Sequence, residues 1–271
     1  MTNRIVLIGA GNMGYAMLTG WLRQDPALAV HVVEPFTGFR DRADVLGAQS
    51  VVALSDLPHG LQADLVVLAV KPQMVKAVLA NCAPLASAKT SFLSVAAGIT
   101  LAAMRVALPQ GTAIIRCMPN TPAAIGAGMM VLCADAGVPD AARQLTETLM
   151  ATSGAVAWIE DEALMDAVTA ISGSGPAYVF HFIEALTEAG QTLGLSADFA
   201  AVLAQQTIAG AGRMALLADT SPTTLREQVT SPNGTTAAAL AVLMQDHALK
   251  QLVGRAATAS RDRGIELGQE G

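Results

Sequence analysis

Ile5-Val6-Leu7-Ile8-Gly9-Ala10-Gly11-Asn12-Met13-Gly14 runs four apolar β-formers straight into Gly-x-Gly-x-x-Gly, and a helical pattern follows from Asn12. A strand, a tight turn and a helix N-terminus in that order make a cradle for a pyrophosphate. Gly9 permits the sharp turn, Gly11 lets backbone amides approach phosphate oxygens, and Gly14 lets helix and strand pack closely. The helix start adds free N–H donors and a partial positive charge. Ile8, Ala10, Asn12 and Met13 complete this candidate cofactor-binding stretch. A second strand-like run, Ala29-Val30-His31-Val32-Val33, ends in Glu34, about 20 residues beyond Gly14, where an acidic side chain is placed to accept hydrogen bonds from ribose hydroxyls. The alternative is a glycine-rich turn with no ligand. The context of two strands and an acidic residue favours a dinucleotide.

Outward from that stretch, strand-like and helix-like segments alternate to about residue 160. Phe36 to Gly47 reads as a polar helix ending at a glycine cap. Leu65 to Val70 is a continuous apolar run, the mark of a strand buried on both faces, and Lys71-Pro72 stops it before a helix over Gln73 to Ala80. Strands are predicted at Ser91 to Val95, Thr112 to Cys117, Gly128 to Cys133 and Ala155 to Trp158, with a helix over Asp140 to Met150. This alternation predicts an α/β fold with a doubly wound parallel sheet, its last strand or two free to run antiparallel. Beyond Glu160-Asp161 strand signals vanish. Helices are expected over Ala163 to Ile171, Ala177 to Leu193, Ala197 to Leu217, Thr235 to Gln245 and Ala248 to Arg263. The domains expected are therefore a Rossmann-like dinucleotide-binding domain over residues 1–160 and an all-helical domain over 161–271.

Of the 271 residues 52% are hydrophobic but only 4% aromatic, so Ala, Leu, Val and Met build the interior. A net charge of −6 without a basic stripe argues against nucleic acid as a partner. No apolar run approaches the roughly 18 residues of a membrane helix, and the N-terminus lacks a signal-peptide layout, so a cytoplasmic protein is expected. Cys82, Cys117 and Cys133 are too scattered for a disulfide framework or a metal pair, and buried free thiols and no metal site are expected. The helical half is poor in charge, and Thr235 to Met244 is apolar or small on nearly every side. A helix of that kind must be buried, and about 110 residues cannot bury them all alone, so an obligate dimer at least is expected.

In an open parallel sheet, ligands sit outside the carboxyl ends of the strands. Candidates there are Gly9 to Gly14, Glu34, Val70-Lys71-Pro72, Ala96-Ala97-Gly98 and Met118-Pro119-Asn120. Lys71 can touch phosphate or be solvated; Asn120 can bond a nicotinamide carboxamide or serve turn chemistry before Thr121-Pro122. Val229-Thr230-Ser231-Pro232-Asn233-Gly234-Thr235-Thr236 opens an apolar helix with free amides suited to a small carboxylate, with Ser231, Thr235 or Thr236 as hydroxyl donors. The same composition also suits an ordinary helix cap. Ser172-Gly173-Ser174-Gly175-Pro176 suits either helix packing or a pocket wall.

Gly9 to Gly14, Ala69-Val70-Lys71-Pro72-Gln73, Ser94 to Gly98, Arg116-Cys117-Met118-Pro119-Asn120-Thr121-Pro122, Ser172 to Tyr178 and Val229 to Thr236, in that order along nearly the whole chain, closely resemble the pyrroline-5-carboxylate reductase family. The resemblance implies a Rossmann domain, a helical dimerisation domain, and dimers that in the family often assemble into a decamer. It implies hydride transfer from NAD(P)H to the C=N of 1-pyrroline-5-carboxylate, giving L-proline in the last step of proline biosynthesis. It places Ala69 to Pro72 and Ala96-Ala97 beside the cofactor. Ser231, Gly234, Thr235 and Thr236 fall at the substrate carboxylate and ring nitrogen, in a site built across the dimer. Thr236 is the candidate catalytic residue, hydrogen-bonding the ring nitrogen, and Glu162 resembles an acidic residue that some members place near the substrate. Two positions depart from the family pattern. Asn233 stands where a second glycine is usual, and Asn is the most permissive substitute if positive φ is needed. Glu34-Pro35 replaces the polar pair, often Asn-Arg or Ser-Arg, that binds an NADP phosphate.

Glu34 should repel a 2′-phosphate, so NADH is expected to serve at least as well as NADPH, although Thr37, Arg40 and Arg42 follow closely and can offset that repulsion. A rival reading is a β-hydroxyacid or 6-phosphogluconate-type dehydrogenase, which needs a catalytic lysine in its helical domain. Lys250 is the only lysine after Lys89 and lacks that context. A non-catalytic dinucleotide-binding module is the other alternative, and the intact hydroxyls of Ser231, Thr235 and Thr236 speak against it.

Overall fold

A computed structural model describes residues 3–270. The chain divides into two compact units, one running to Gly173 with the stretch from Ser260 added, the other spanning Ser174–Ala259.

The first unit is built on β1 (Arg4–Ile8), α1 (Asn12–Gln24), β2 (Ala29–Val33), α2 (Thr37–Val45), β3 (Gln49–Val51), β4 (Leu65–Leu68), α3 (Pro72–Ala80), β5 (Ser91–Ser94), α4 (Leu101–Ala107), β6 (Ala113–Met118), β7 (Gly128–Ala134), α5 (Asp140–Ala151), β8 (Gly154–Trp158) and α6 (Met165–Val168). The sheet order is β3-β2-β1-β4-β5-β6-β7-β8. The first six strands are parallel, β7 runs antiparallel to β6, and β8 is parallel to β7. The expected α/β sheet with its last two strands reversed is thus observed.

Period-two alternation sorts the buried strand residues onto two faces. Ile5, Leu7, Leu65 and Val67 join Met17, Leu18 and Trp21 on one side. Val6, Ile8, Val66 and Leu68 join Val75, Leu79 and Phe92 on the other. Both faces of β1 and β4 are therefore dry, which is why these strands read as unbroken apolar runs. Trp21 is buried with its Nε1 donating to the Leu149 carbonyl at 3.0 Å.

Four elements differ from expectation, the first being α4, whose seven residues capped by Thr100 were not expected as a helix. β3 was not anticipated, because three residues with a polar first position carry no periodic signal. The stretch expected as one helix from Ala163 to Ile171 is a 3₁₀ turn at Glu162–Leu164, then α6, then a π turn at Thr169–Gly173. In the second unit, the helix Pro222–Gln228 was missed, although Ser221 caps it and Pro222 sits in its first turn.

The second unit contains α7 (Gly175–Thr192), α8 (Ala197–Leu217), α9 (Pro222–Gln228), α10 (Thr235–Met244) and the start of α11 (Ala248–Glu270). α11 continues past the expected end at Arg263, and its last turns belong to the first unit. α10 and α11 are separated at Asp246 and His247, both in the left-handed region. α7 and α8 pack closely at Gly190, where a Cβ would lie 3.0 Å from the Ala200 Cβ. Among the described residues of this unit, Ala200 and Ala204 are the only buried apolar side chains. Phe180, Phe199, Val202, Val242 and Leu252 are more than half exposed. Apolar helix surface on this scale marks an interaction face. Among the described residues, no helix is long and apolar enough to cross a membrane.

Candidate functional site

The sheet order reverses between β1 and β4, and the crevice at such a switch point lies outside the strands' carboxyl ends. Ile8 ends β1, Ala69 to Pro72 follow β4, and Ala96-Ala97 follow β5, so three of the predicted clusters gather on adjacent strands. The Gly9 amide donates to the Val33 carbonyl at 2.9 Å and the Ala69 amide to the Ile8 carbonyl at 2.8 Å, stitching the turn to its neighbours.

The three fingerprint glycines have different steric surroundings. Gly9 has φ +96°, and a Cβ there would stand 2.8 Å from the Ala69 carbonyl oxygen. At Gly14 it would stand 2.1 Å from the Gly9 carbonyl oxygen. At Gly11 it would meet nothing within 4 Å. The turn is closed where helix meets strand and open at Gly11, the position through which an anion would approach. Gly11 also precedes α1 with no side chain capping the helix, and Asn12 is exposed at its start while Met13 packs against the core. Those amides are available to phosphate oxygens. Lys71 is exposed at the start of α3, with Pro72 in the first turn.

Glu34 is buried, and both its oxygens are engaged. Oε2 accepts from the Ala10 amide at 2.8 Å and Oε1 from the Phe36 amide at 3.0 Å. Arg42 donates to the Ala10 carbonyl, so the two successive peptides that flank the Ala10 Cα are each held by a side chain. The Arg42 guanidinium also lies 4.2 Å from the Tyr15 ring centroid and 4.4 Å from that of Phe39. Arg40 bonds the carbonyls of Glu34 and Pro35 and the Thr37 hydroxyl.

Asn120 is committed within the protein. Its amide nitrogen donates to the Ser172 carbonyl at 3.1 Å and hydroxyl at 3.3 Å, and its oxygen accepts from the Met129 amide at 2.9 Å. These bonds make Asn120 a brace between the end of β6, the start of β7 and the π turn. Glu162 likewise has protein partners. Its Oε1 accepts from Arg116 at 2.9 Å and from the Leu101 amide at 2.8 Å. Arg116 is buried on β6 and was not singled out as a functional residue; a lone charge inside an apolar strand run is the signal that marks it. Beside this pair, burial raises the Cys133 thiol pKa, with Glu162 adding to the shift and Arg116 opposing it.

The second cluster lies in the other unit. Asn233 has φ +57°, a positive value that Asn tolerates best after glycine. The Gly234 amide donates to the Ser231 carbonyl at 3.0 Å, and a Cβ on Gly234 would stand 2.4 Å from the Ser231 hydroxyl. Gly234 therefore leads into α10 without room for a side chain and without a side-chain cap. The first amides of α10 carry no side-chain cap at this helix N-terminus, and Ser231, Thr235 and Thr236 stand beside them in the sequence.

Two hollows lie away from these residues. One of about 680 Å³ is lined by Leu54, Pro58, His59 and Asn81, and one of about 560 Å³ by Asp64, Lys89, Ser91 and Ala113 at the amino ends of the strands. Neither includes a residue of the glycine turn.

A family model described as pyrroline-5-carboxylate reductase dimerisation matches residues 162–267, and one described as NADP oxidoreductase, coenzyme F420-dependent, matches residues 4–98. The chain is 42% identical to a pyrroline-5-carboxylate reductase of Pseudomonas aeruginosa, over 99% of this chain and 98% of the relative. Among solved structures it is similar to a pyrroline-5-carboxylate reductase from Coxiella burnetii, with TM-score 0.92 and 35% identity over 98% of this chain and 99% of the other. It is also similar to the Plasmodium falciparum pyrroline carboxylate reductase solved with NADP bound, with TM-score 0.83 and 28% identity over 98% of each chain.

Proposed function

The chain belongs to the pyrroline-5-carboxylate reductase family, and from that premise we infer how its own residues carry the reaction. The reaction is hydride transfer from a reduced nicotinamide dinucleotide to the C=N bond of 1-pyrroline-5-carboxylate, giving L-proline. The glycine turn fits the dinucleotide, since it is open at Gly11 and closed at Gly9 and Gly14. Ile8 to Gly14, Ala69 to Pro72 and Ala96-Ala97 are the residues assigned to hold it, with Glu34 on the ribose side. When bound, the reduced nicotinamide supplies the hydride.

The uncapped start of α10 carries the substrate assignment. Its free amides, with Ser231, Gly234 and Thr235, receive the substrate carboxylate, and the Thr236 hydroxyl bonds the ring nitrogen. A protonated imine is already a strong electrophile, so the chain's task is to orient it rather than to supply a strong acid. Dinucleotide oxidation on addition of 1-pyrroline-5-carboxylate tests the activity. Thr236→Ala should lower turnover by roughly ten- to a hundred-fold while dinucleotide affinity stays within about two-fold. Equal loss of both would sink the Thr236 role.

For the cofactor, NADH is proposed to serve at least as well as NADPH. Glu34 keeps a buried carboxylate at the end of β2, while Arg40 and Arg42 are engaged with backbone carbonyls and ring faces instead of offsetting it. Catalytic efficiencies measured side by side with the two dinucleotides decide this. Self-association follows from the dimerisation region, and a dimer is the proposed minimum with a decamer as its further assembly. The functional domains are proposed to meet at residues 160–161, just after β8 and just before the dimerisation region begins. Three free, buried cysteines support a cytoplasmic location.

A further inference from the structure

We infer that Arg116 and Glu162 are positioning residues for the dinucleotide half-site, acting through the segment of residues 95–100 that carries Ala96 and Ala97. The inference rests on the reading that this segment lines that half-site.

The segment leaves β5 and enters α4. At its start the Val95 amide donates to the Leu68 carbonyl at 3.0 Å, tying it to β4. At its end the Leu101 amide, the first of α4, donates to Glu162 Oε1 at 2.8 Å across 61 positions of sequence. Thr100 caps the same helix through the Ala103 amide, so Glu162 satisfies an orphan donor that the local sequence leaves open. The same Oε1 accepts from Arg116, whose side chain is only 4% exposed. Arg116 stands opposite Ser94 on β5 and Cys133 on β7, in the middle of the sheet. A cation so placed has few ways to move, so it fixes the carboxylate, and the carboxylate fixes the start of α4. Between the two anchors, Gly98 takes φ +75°, and a Cβ there would stand 3.6 Å from that of Leu267 on the last turns of α11. The segment is thus pinned at both ends and backed in the middle. This arrangement contrasts with a Glu162 that contacts substrate directly, because its charge is already compensated by a buried partner and one oxygen holds two donors.

The test compares Glu162→Ala, Glu162→Gln and the double change Arg116→Met/Glu162→Ala, the last avoiding an unpaired buried cation that could unfold the single variant. Affinity for NADH and NADPH is titrated by nucleotide fluorescence without substrate, and KM is measured for dinucleotide and imine separately. Glu162→Ala and the double variant should weaken dinucleotide binding by about ten-fold and raise its KM in parallel, leaving the KM for the imine within about two-fold. Glu162→Gln, which retains an oxygen for both donors but not the charge that compensates Arg116, should weaken dinucleotide binding by clearly less than Glu162→Ala does. Parental dinucleotide affinity in the double variant, with a raised KM for the imine alone, would overturn the inference in favour of direct substrate contact. Equal weakening in Glu162→Gln and Glu162→Ala would also overturn it. A parent chain that binds neither dinucleotide would refute the proposed function itself, and the positioning role with it.

Discussion

Alanine at Gly11 and alanine at Gly14 should fail in different ways, although both break the same fingerprint. At Gly14 the added Cβ lies 2.1 Å from the Gly9 carbonyl oxygen, about 1.3 Å inside the 3.4 Å at which ordinary contact begins. Both partners are backbone, so relief requires α1 to back away from the β1 turn, and the buried Met17, Leu18 and Trp21 on that helix would lose packing with it. A cost of at least about 3 kcal/mol follows, or a fall in Tm of about 6–12 °C for a unit of this size. At Gly11 the Cβ meets no protein atom, and φ is −61° with extended ψ, which alanine adopts. The remaining cost is the poorer N-cap, about 0.5–1 kcal/mol. That methyl nevertheless occupies the opening through which phosphate would approach, so dinucleotide affinity should fall by at least about 30-fold. Thermal unfolding followed by circular dichroism and nucleotide-fluorescence titration separate the two effects. Gly11→Ala should unfold near the parent temperature and bind poorly; Gly14→Ala should unfold early. A Gly11→Ala protein with parental affinity, or a Gly14→Ala protein with parental Tm, would refute the steric reasoning.

The buried His31 has its pKa held below the usual 6.5 by desolvation, with the Arg4 cation adding to the effect. The unfolded chain therefore takes up a proton that the folded chain resists, and this contribution to stability is complete above about pH 6.5 and declines as pH falls below it. A His31→Gln variant should show a flatter denaturant midpoint between pH 7 and pH 5 than the parent. Burial pushes the Cys82 thiol up to about 12 and raises those of Cys117 and Cys133 as well. Alkylation at pH 8 should thus be slow in the native protein and fast in denaturant, read by mass spectrometry. Val202→Asp places a charge on the exposed apolar face of α8 and should shift sedimentation toward monomer, whereas an unchanged sedimentation coefficient would remove that face from the interface. Thr146, buried with an unpartnered hydroxyl, should tolerate Val with a gain of about 1 kcal/mol in urea unfolding.

The sequence by itself determined the elements whose cause is local. Glycines at 9, 11 and 14 after an apolar run announce strand, turn and helix: the positive φ at Gly9 and the close backbone contacts at Gly9 and Gly14 exclude side chains, while Gly11 leaves the turn open. The unbroken run at Leu65 to Leu68 announces a doubly buried strand, and Asn233 before Gly234 announces a left-handed step into an uncapped helix. α8 spans the same residues that its run of helix formers after Gly194-Leu195-Ser196 predicts. Tertiary structure decided what depends on partners distant in the chain. Glu34 turns to the Ala10 amide, Asn120 to Ser172 and Glu162 to Arg116, across 24, 52 and 46 positions respectively. The neighbours of each side chain in sequence point to a ligand-facing role and give no sign of these internal bonds. Once folded, a fully or half-buried carboxylate or amide takes the nearest donor or acceptor that burial has made costly to leave unpaired. β3 owes its existence to the same cause, since Gln49–Val51 becomes a strand only because β2 presents an open edge beside it.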